Sequence, residues 1–298
     1  MQKKLLIAAP KNMAGTTKLI IEEAKKLFKV HYAPIKDIAL TVSEDKTLIE
    51  HNSRDLTEVD YFMPKVDAFR AYYGYQIVKA FEFYPDIPKP YSARAIQIAH
   101  DKFLTTAILS HNKIPVPKTY LVKTKKGIKN IASKIKFPIM IKLMSGSGGM
   151  GVMYVENEAA MGSIIESMNI LKQEALVQEY IDNPGEDVRV LVAGGEIIGA
   201  MKRVAAPGEK RANIKAGGHG VKYTPTSEIA EICFKSAEAI EAKICAVDIV
   251  EGLRGDGEGG GPKVIEVNIN PGIRGLTAAT GTNIAKKLVE YAYNECRK

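Results

Sequence analysis

Val264-Ile265-Glu266-Val267-Asn268-Ile269-Asn270 alternates apolar and polar residues without a break. A β-strand turns successive side chains to opposite faces, so Ile265, Val267 and Ile269 are expected on a core face and Glu266, Asn268 and Asn270 on the other. A carboxylate and two amides, ~7 Å apart per alternate step, are hard oxygen donors. They suit Mg2+ bound jointly with nucleotide phosphates and do not point to thiolate or imidazole metals.

Upstream, Cys245-Ala246-Val247-Asp248-Ile249-Val250 is a second short apolar strand with one carboxylate inside it. An acid in such a strand needs a cation or several hydrogen bonds. The glycine-rich stretch from Gly252 to Gly261 returns the chain as an antiparallel neighbour, which sets Asp248 beside Glu266. Asp248, Glu266 and Asn268 are therefore the candidate metal ligands. The stretch is longer than such a hairpin needs.

Farther upstream, Gly146, Gly148 and Gly151 meet the G-x-G-x-x-G spacing of a dinucleotide site. That fingerprint must leave a strand and open a helix, because the pyrophosphate rests on the helix N-terminus. Here Val152-Met153-Tyr154-Val155 follows, which is strand-like, so the loop joins Ile139 to Met144 with a second strand. A glycine hairpin still lets backbone N–H groups close over phosphates, with Lys142 at its base. No Gly-Lys-Ser/Thr triplet occurs, which excludes a P-loop.

Two segments add candidate polar groups. Arg203 and Arg211 lie in a basic loop that ends near His219, and each offers a planar fork for carboxylate or phosphoryl oxygens. Val177-Gln178-Glu179-Tyr180-Ile181 reads as a strand leaving a middle module, followed by the Asn183-Pro184-Gly185 turn and then Glu186-Asp187. Such a segment can offer backbone groups to an adenine edge, and an acid to ribose hydroxyls.

The remaining chain reads as mixed α/β. Residues 4 to 9 form a buried strand, and the spacing of Ile20, Ala24, Leu27 and Phe28 predicts a helix over 19–28. Pro85, Pro88 and Pro90 mark a hinge, with the boundary near residue 94. Helices are expected around 101–111, 158–172 and 227–243, and a hairpin from 188 to 201 around Gly194-Gly195.

With 298 residues, 46% hydrophobic and 26% charged, the chain is neither disordered nor fibrous. Cys233, Cys245 and Cys296 form no disulfide or metal pattern, which fits a reduced, cytoplasmic setting. No apolar run reaches the ~20 residues of a membrane span, and no signal peptide is read. A net charge of +8 favours anionic partners, but the lysines are scattered and form no basic block.

Taken in order, Lys102, Lys142 with its glycine loop, Gln178 to Ile181, Arg203 with Arg211-Ala212-Asn213, Asp248 and Glu266-Val267-Asn268 resemble the ATP-grasp superfamily. Within it, the RimK-type α-L-glutamate ligases look closest. Pro64-Lys65, Tyr73-Gly74, the stretch from Ala93-Arg94 to Lys102, and Asn268-x-x-Pro271-Gly272 extend the likeness over nearly the whole chain. The group usually carries arginine where this chain has Lys65.

The resemblance implies an ATP-grasp fold of three domains: an N-terminal α/β domain over 1–94, a central α+β lid over 95–181, and a C-terminal α+β module over 182–298 with the metal site. It implies an ATP-dependent carboxylate–amine ligase that uses L-glutamate and an acceptor carboxylate, with ATP held between the two α+β modules. Lys102, Lys142 and the loop residues Ser147, Gly148 and Gly149 would meet phosphates, Gln178, Glu179, Tyr180 and Ile181 the adenine, and Asp187 the ribose. Asp248, Glu266 and Asn268 would hold two Mg2+ ions, with Mn2+ as a substitute, while Arg203, Arg211 and Asn213 face the reacting groups. It also implies a cytoplasmic homo-oligomer, dimer or tetramer, with no membrane or nucleic-acid partner. The expected acceptor is a cofactor tail of the tetrahydromethanopterin or deazaflavin type. Alternatives are a ribosomal-protein C-terminus, or a non-catalytic basic protein that binds nucleic acid.

Overall fold

The computed structural model describes residues 2–11, 15–144, 151–206, 217–253 and 260–296. The chain opens with β1 (Lys4–Ala9), α1 (Gly15–Ala24) and β2 (Lys29–Pro34). A small antiparallel sheet follows, made of β3 (Ala39–Val42), β4 (Thr47–His51) and β5 (Arg54–Asp55). The chain then returns in β6 (Tyr61–Pro64), followed by α2 (Ala71–Phe81) and α3 (Ala93–His100). Strand β1 lies between β2 and β6 and is parallel to both. Leu5 to Ala9 are buried, as in a parallel strand covered on both faces.

Helix α1 starts and stops about four residues earlier than its apolar spacing predicts. Residues 25–28 continue as turns, with the Phe28 N–H donating to Ala24 O at 2.8 Å. Phe28 is buried edge-on against Tyr293, so it contributes to the same apolar stripe from outside the helix.

The middle of the chain contains α4 (Lys102–His111), β7 (Thr119–Val122), α5 (Lys125–Ala132), β8 (Ile139–Leu143), β9 (Val152–Val155), α6 (Glu158–Ile170) and β10 (Ala175–Glu179). Its sheet runs β7-β10-β8-β9, every pair antiparallel. The glycine loop therefore joins two paired strands, as its apolar follower predicted. Ile139, Ile141, Val155, Met161, Ile165 and Val177 form a core drawn from this segment alone.

The last part contains β11 (Glu186–Ala193), β12 (Glu196–Val204), β13 (His219–Lys222), α7 (Ser227–Ala239), β14 (Ile244–Gly252), β15 (Gly261–Asn268), α8 (Arg274–Thr280) and α9 (Ile284–Glu295). Its sheet order is β13-β12-β11-β14-β15, antiparallel throughout. Gly194 and Gly195 make the predicted tight turn with φ of 61° and 83°, the left-handed geometry of a two-residue hairpin loop.

The two faces of this sheet have different partners. Val188, Val190, Val192, Val247, Ile249 and Val267 pack toward α7 and α3, in a core shared with Leu6, Phe62 and Phe81. On the other face Leu191, Ala193, Ile244 and Ala246 pack under α8 and α9, in a core shared with Leu5 and Ile7. Farther along that second face the residues become Arg189, Asp187 and Asp248. Candidate site residues therefore begin where the helical cover ends.

Candidate active site

Register partners in an antiparallel sheet point to one face. Arg189 on β11 pairs with Asp248 on β14, and Asp248 pairs with Glu266 on β15. The two acids therefore stand side by side, as the glycine-rich return predicted. The strict alternation of β15 is broken, however. A bulge between the pairs Asp248–Glu266 and Ile249–Val264 inserts Ile265 as an extra residue. Val264 and Val267 are the core residues, 2% and 1% exposed, and Ile265 is only half-buried.

Asp248 is 1% exposed and accepts from Arg189 Nε and Nη2, both at 2.7 Å. Arg203 Nη2 approaches the same carboxylate at 3.0 Å. Arg203, 3% exposed, also donates through Nε and Nη2 to Asp187, the second bond being 2.8 Å. Two acids and two guanidiniums thus form one buried array. Burial would raise the Asp248 carboxyl, but Arg189 and Arg203 outweigh it and hold the group below its ordinary range. Burial pushes Asp187 upward, with Arg203 opposing. Arg203 accordingly braces the acidic row, and Asp187 is tied to it. Arg189 was not among the expected site residues. Its signal was available, since Val188-Arg189-Val190 places a charge inside an apolar strand, the same anomaly that marked Asp248.

The middle module supplies cations. Lys102 opens α4 after its cap, Asp101, and its Nζ donates to Met144 O at 3.1 Å, at the base of the glycine loop. Burial lowers the Lys102 ammonium while Glu266 and Asp101 oppose that. Lys142 on β8 is half-buried and is pushed down to about 8 by burial, with Glu266 and Asp248 opposing and Lys102 adding to the fall. Lys102, Lys142, Asp248 and Glu266 thus share one electrostatic site across the two modules. The Leu143 N–H closes the loop base by donating to Gly151 O at 2.8 Å. Gly151 has φ of 75°, and a Cβ there would lie 2.7 Å from Leu143 Cδ1, so glycine is required. Ser147, Gly148, Gly149, Arg211 and Asn213 lie outside the described residues.

In the connecting segment, Gln178 is 3% exposed and its Nε2 donates to Thr119 Oγ1 at 2.9 Å. Glu179 pairs with Lys263 of β15 at 2.6 Å, which ties the end of β10 to the metal-face strand. The Tyr180 ring meets Tyr154 edge-on at 5.2 Å, and Ile181 is 8% exposed. Sheet pairing uses the backbone through Glu179, whose N–H donates to Lys118 O. Tyr180 and Ile181 follow where that pairing ends.

Among the described residues no three His, Cys, Asp or Glu side chains gather as a metal cluster. The expected donors are two acids and an amide. Asn268 lies two positions beyond Glu266 on β15, and its Nδ2 is buried without a hydrogen-bond partner among the described residues. Register-paired carboxylates and the amide two positions beyond are hard oxygen donors of the kind that suits Mg2+, with Asp248 also bridged to Arg189.

Lys102 and Lys142 of the middle module thus lie in the field of acids on the last sheet, the charge pattern of a site for an anion and its metal. The family of RimK-like ATP-grasp domains matches residues 99–292. A "Probable alpha-L-glutamate ligase" of Rhodopirellula baltica is 30% identical over 291 residues, covering 97% of this chain and 70% of that protein. One of Syntrophotalea carbinolica, with the same description, is 32% identical over 281 residues, covering 93% and 90%. The crystal structure of a RimK domain ATP-grasp protein from Sphaerobacter thermophilus superposes with a TM-score of 0.70 at 20% identity, covering 96% and 98%. The chain belongs to the RimK-like ATP-grasp family. It is an ATP-dependent ligase that joins a carboxylate to an amine, with Mg2+ as the accompanying metal. The alternative of a non-catalytic basic nucleic-acid binder is set aside.

Proposed function

We propose that the protein adds L-glutamate to an acceptor carboxylate through an acylphosphate, and that the acceptor is the tail of a small cofactor of the tetrahydromethanopterin or deazaflavin type. One observation carries the ligase chemistry: Lys102 and Lys142 on one module share the field of the register-paired Asp248 and Glu266 on another. The glutamate specificity rests on relatives described as probable alpha-L-glutamate ligases. The run from Arg203 to Pro207-Gly208-Glu209 with Arg211-Ala212-Asn213 supports the same specificity, since it resembles the glutamate-adding group, and a small acceptor is preferred here to a ribosomal-protein C-terminus.

The acceptor carboxylate attacks the γ-phosphorus of ATP, and ADP leaves. The glutamate amine then attacks the acyl carbon and expels phosphate. A carboxylate offers an amine no acceptable leaving group, whereas phosphate leaves readily, so the protein's work is positioning and charge neutralisation. Lys102 and Lys142 hold phosphate oxygens, and the glycine hairpin closes over them. Tyr180 and Ile181 present backbone to adenine. Asp187 serves the ribose edge through the Arg203 array. Glu266, Asn268 and Asp248 would hold Mg2+, which would supply neutralisation of the charge that develops on the transferred phosphoryl group. Arg189 fixes the plane of the Asp248 carboxylate. Arg211 and Asn213 face the reacting groups.

The test is ADP and phosphate release with L-glutamate plus a panel of carboxylates, including cofactor tails and a ribosomal-protein C-terminal peptide, with product masses recorded. A product heavier by one glutamyl residue on a cofactor tail is expected. Gain on the peptide alone would overturn the acceptor, and ATP turnover leaving a stable phosphorylated product would overturn the ligation.

A further inference from the structure

Lys65 and the Tyr73-Gly74 pair belong to one device that the chemistry above does not use. Lys65 directly follows β6, and its N–H donates to Ala8 O at 2.7 Å. It therefore sits at the carboxyl ends of the parallel strands β1 and β6, the edge at which open α/β sheets receive ligands. The residue is 8% exposed, and among the described residues its side chain has neither an acidic partner nor a hydrogen bond. Burial alone pushes its ammonium down to about 8. A lone buried cation is costly.

Several contacts hold it in place. The Tyr91 hydroxyl donates to Pro64 O at 2.8 Å, directly before Lys65. A Cβ on Gly74 would lie 2.5 Å from Val66 Cγ1, so α2 closes on this loop only because residue 74 has no side chain. Helix α3 ends at His100 and runs through the Asp101 cap into Lys102, so it joins this part of the chain to the active site. A second bridge lies at the start of α1, where Thr16 Oγ1 accepts the Ile273 N–H at 3.3 Å, just beyond β15.

We infer that Lys65 binds a non-reacting carboxylate of a substrate, drawing the first domain into substrate recognition. The inference rests on the ligase reading above. In such a reaction one carboxylate goes to phosphorus, whereas a glutamyl-ended acceptor or free glutamate carries another. Only a full negative charge offsets a buried ammonium, because a neutral dipole leaves it unpaired. The shared chemistry is that second carboxylate, on either the acceptor or the incoming amine substrate.

The experiment is calorimetric titration of the full chain, saturated with Mg2+ and a non-hydrolysable ATP analogue, using N-acetyl-L-glutamate and L-glutamate as probes. N-acetyl-L-glutamate has no free amine and mimics an acceptor end. Lys65→Met is expected to lose about tenfold or more in affinity for one probe, the scale of a charge-assisted contact, while nucleotide affinity and folding hold. Lys65→Arg is expected to keep binding. Loss confined to N-acetyl-L-glutamate assigns the acceptor, and loss confined to L-glutamate assigns the amine substrate. Wild-type binding of both probes by Lys65→Met, no binding of either probe by the wild type, or equal loss of nucleotide and probe in both variants would each overturn the inference. Probe binding through Lys65 without ATP turnover on any carboxylate would sink the ligation alone.

Discussion

Individual side chains in this protein are held against their own solvation. Lys65 is the sharpest case, with an ammonium at about 8 against an ordinary value of ~10.4. Between those values the unfolded chain binds the proton that the folded chain has released, so the stability of the native protein rises with pH across that window. Lys65→Met should therefore be more stable than the native protein by about 3 kcal/mol at pH 7, with the difference gone above pH ~10. Chemical denaturation at several pH values checks this, and equal stability at pH 7 would contradict it. Lys142 titrates in the same range, but phosphates raise it. Above pH 8 nucleotide binding should take up a proton and weaken as pH rises, which calorimetry in buffers of different ionisation enthalpy reads directly. Glu266 is half-buried and register-paired with Asp248. Glu266→Gln keeps its shape and removes its charge, so thermal unfolding should be nearly unchanged while ATP turnover with glutamate and acceptor nearly vanishes. Undiminished turnover would remove Glu266 from the metal site.

At the scale of the element, tight turns and bulges aim the site. The β11–β12 hairpin sets Asp187 opposite Arg203, and its register depends on the Gly194-Gly195 turn. Gly194 has φ of 61°, and a Cβ there would lie 2.2 Å from Tyr291 Cε2 on α9. Gly194→Ala should cost about 1–3 kcal/mol through strain and overpacking, measured by urea unfolding. A change below a few tenths would show that the turn yields. The bulge in β15 acts differently, because it lets both Val264 and Val267 enter the core while Glu266 stays in line with Asp248. Strict alternation cannot do both.

Across the whole molecule, the first and last parts of the chain share two hydrophobic cores, whereas the middle module has a core of its own. Residue 94, the expected first boundary, falls inside α3, and 181 lies between β10 and β11. Hydrogen exchange should find the amides of β8, β9 and α6 opening more readily than those of β1, β11 and β14, and ATP with Mg2+ should slow the middle module selectively. Uniform exchange, with protection spread evenly on ATP addition, would contradict that division. No described helix is long and apolar enough to cross a membrane.

Much of the site was legible because in-strand charges are anomalies at short range. Asp248 and Glu266 stood out against apolar neighbours, the Val152 strand after the glycines excluded a helix start, and Gly194-Gly195 marked a hairpin. The sequence by itself determined which segments are strands and which side chains are too polar for their surroundings, since periodicity and solvation are local properties. Only the tertiary structure decided that Arg189 and Arg203 clamp Asp248, that β15 bulges at Ile265, and that Tyr91 and Gly74 hold the Lys65 loop. Those outcomes depend on register and close approach between segments far apart in the chain, and no local pattern encodes them.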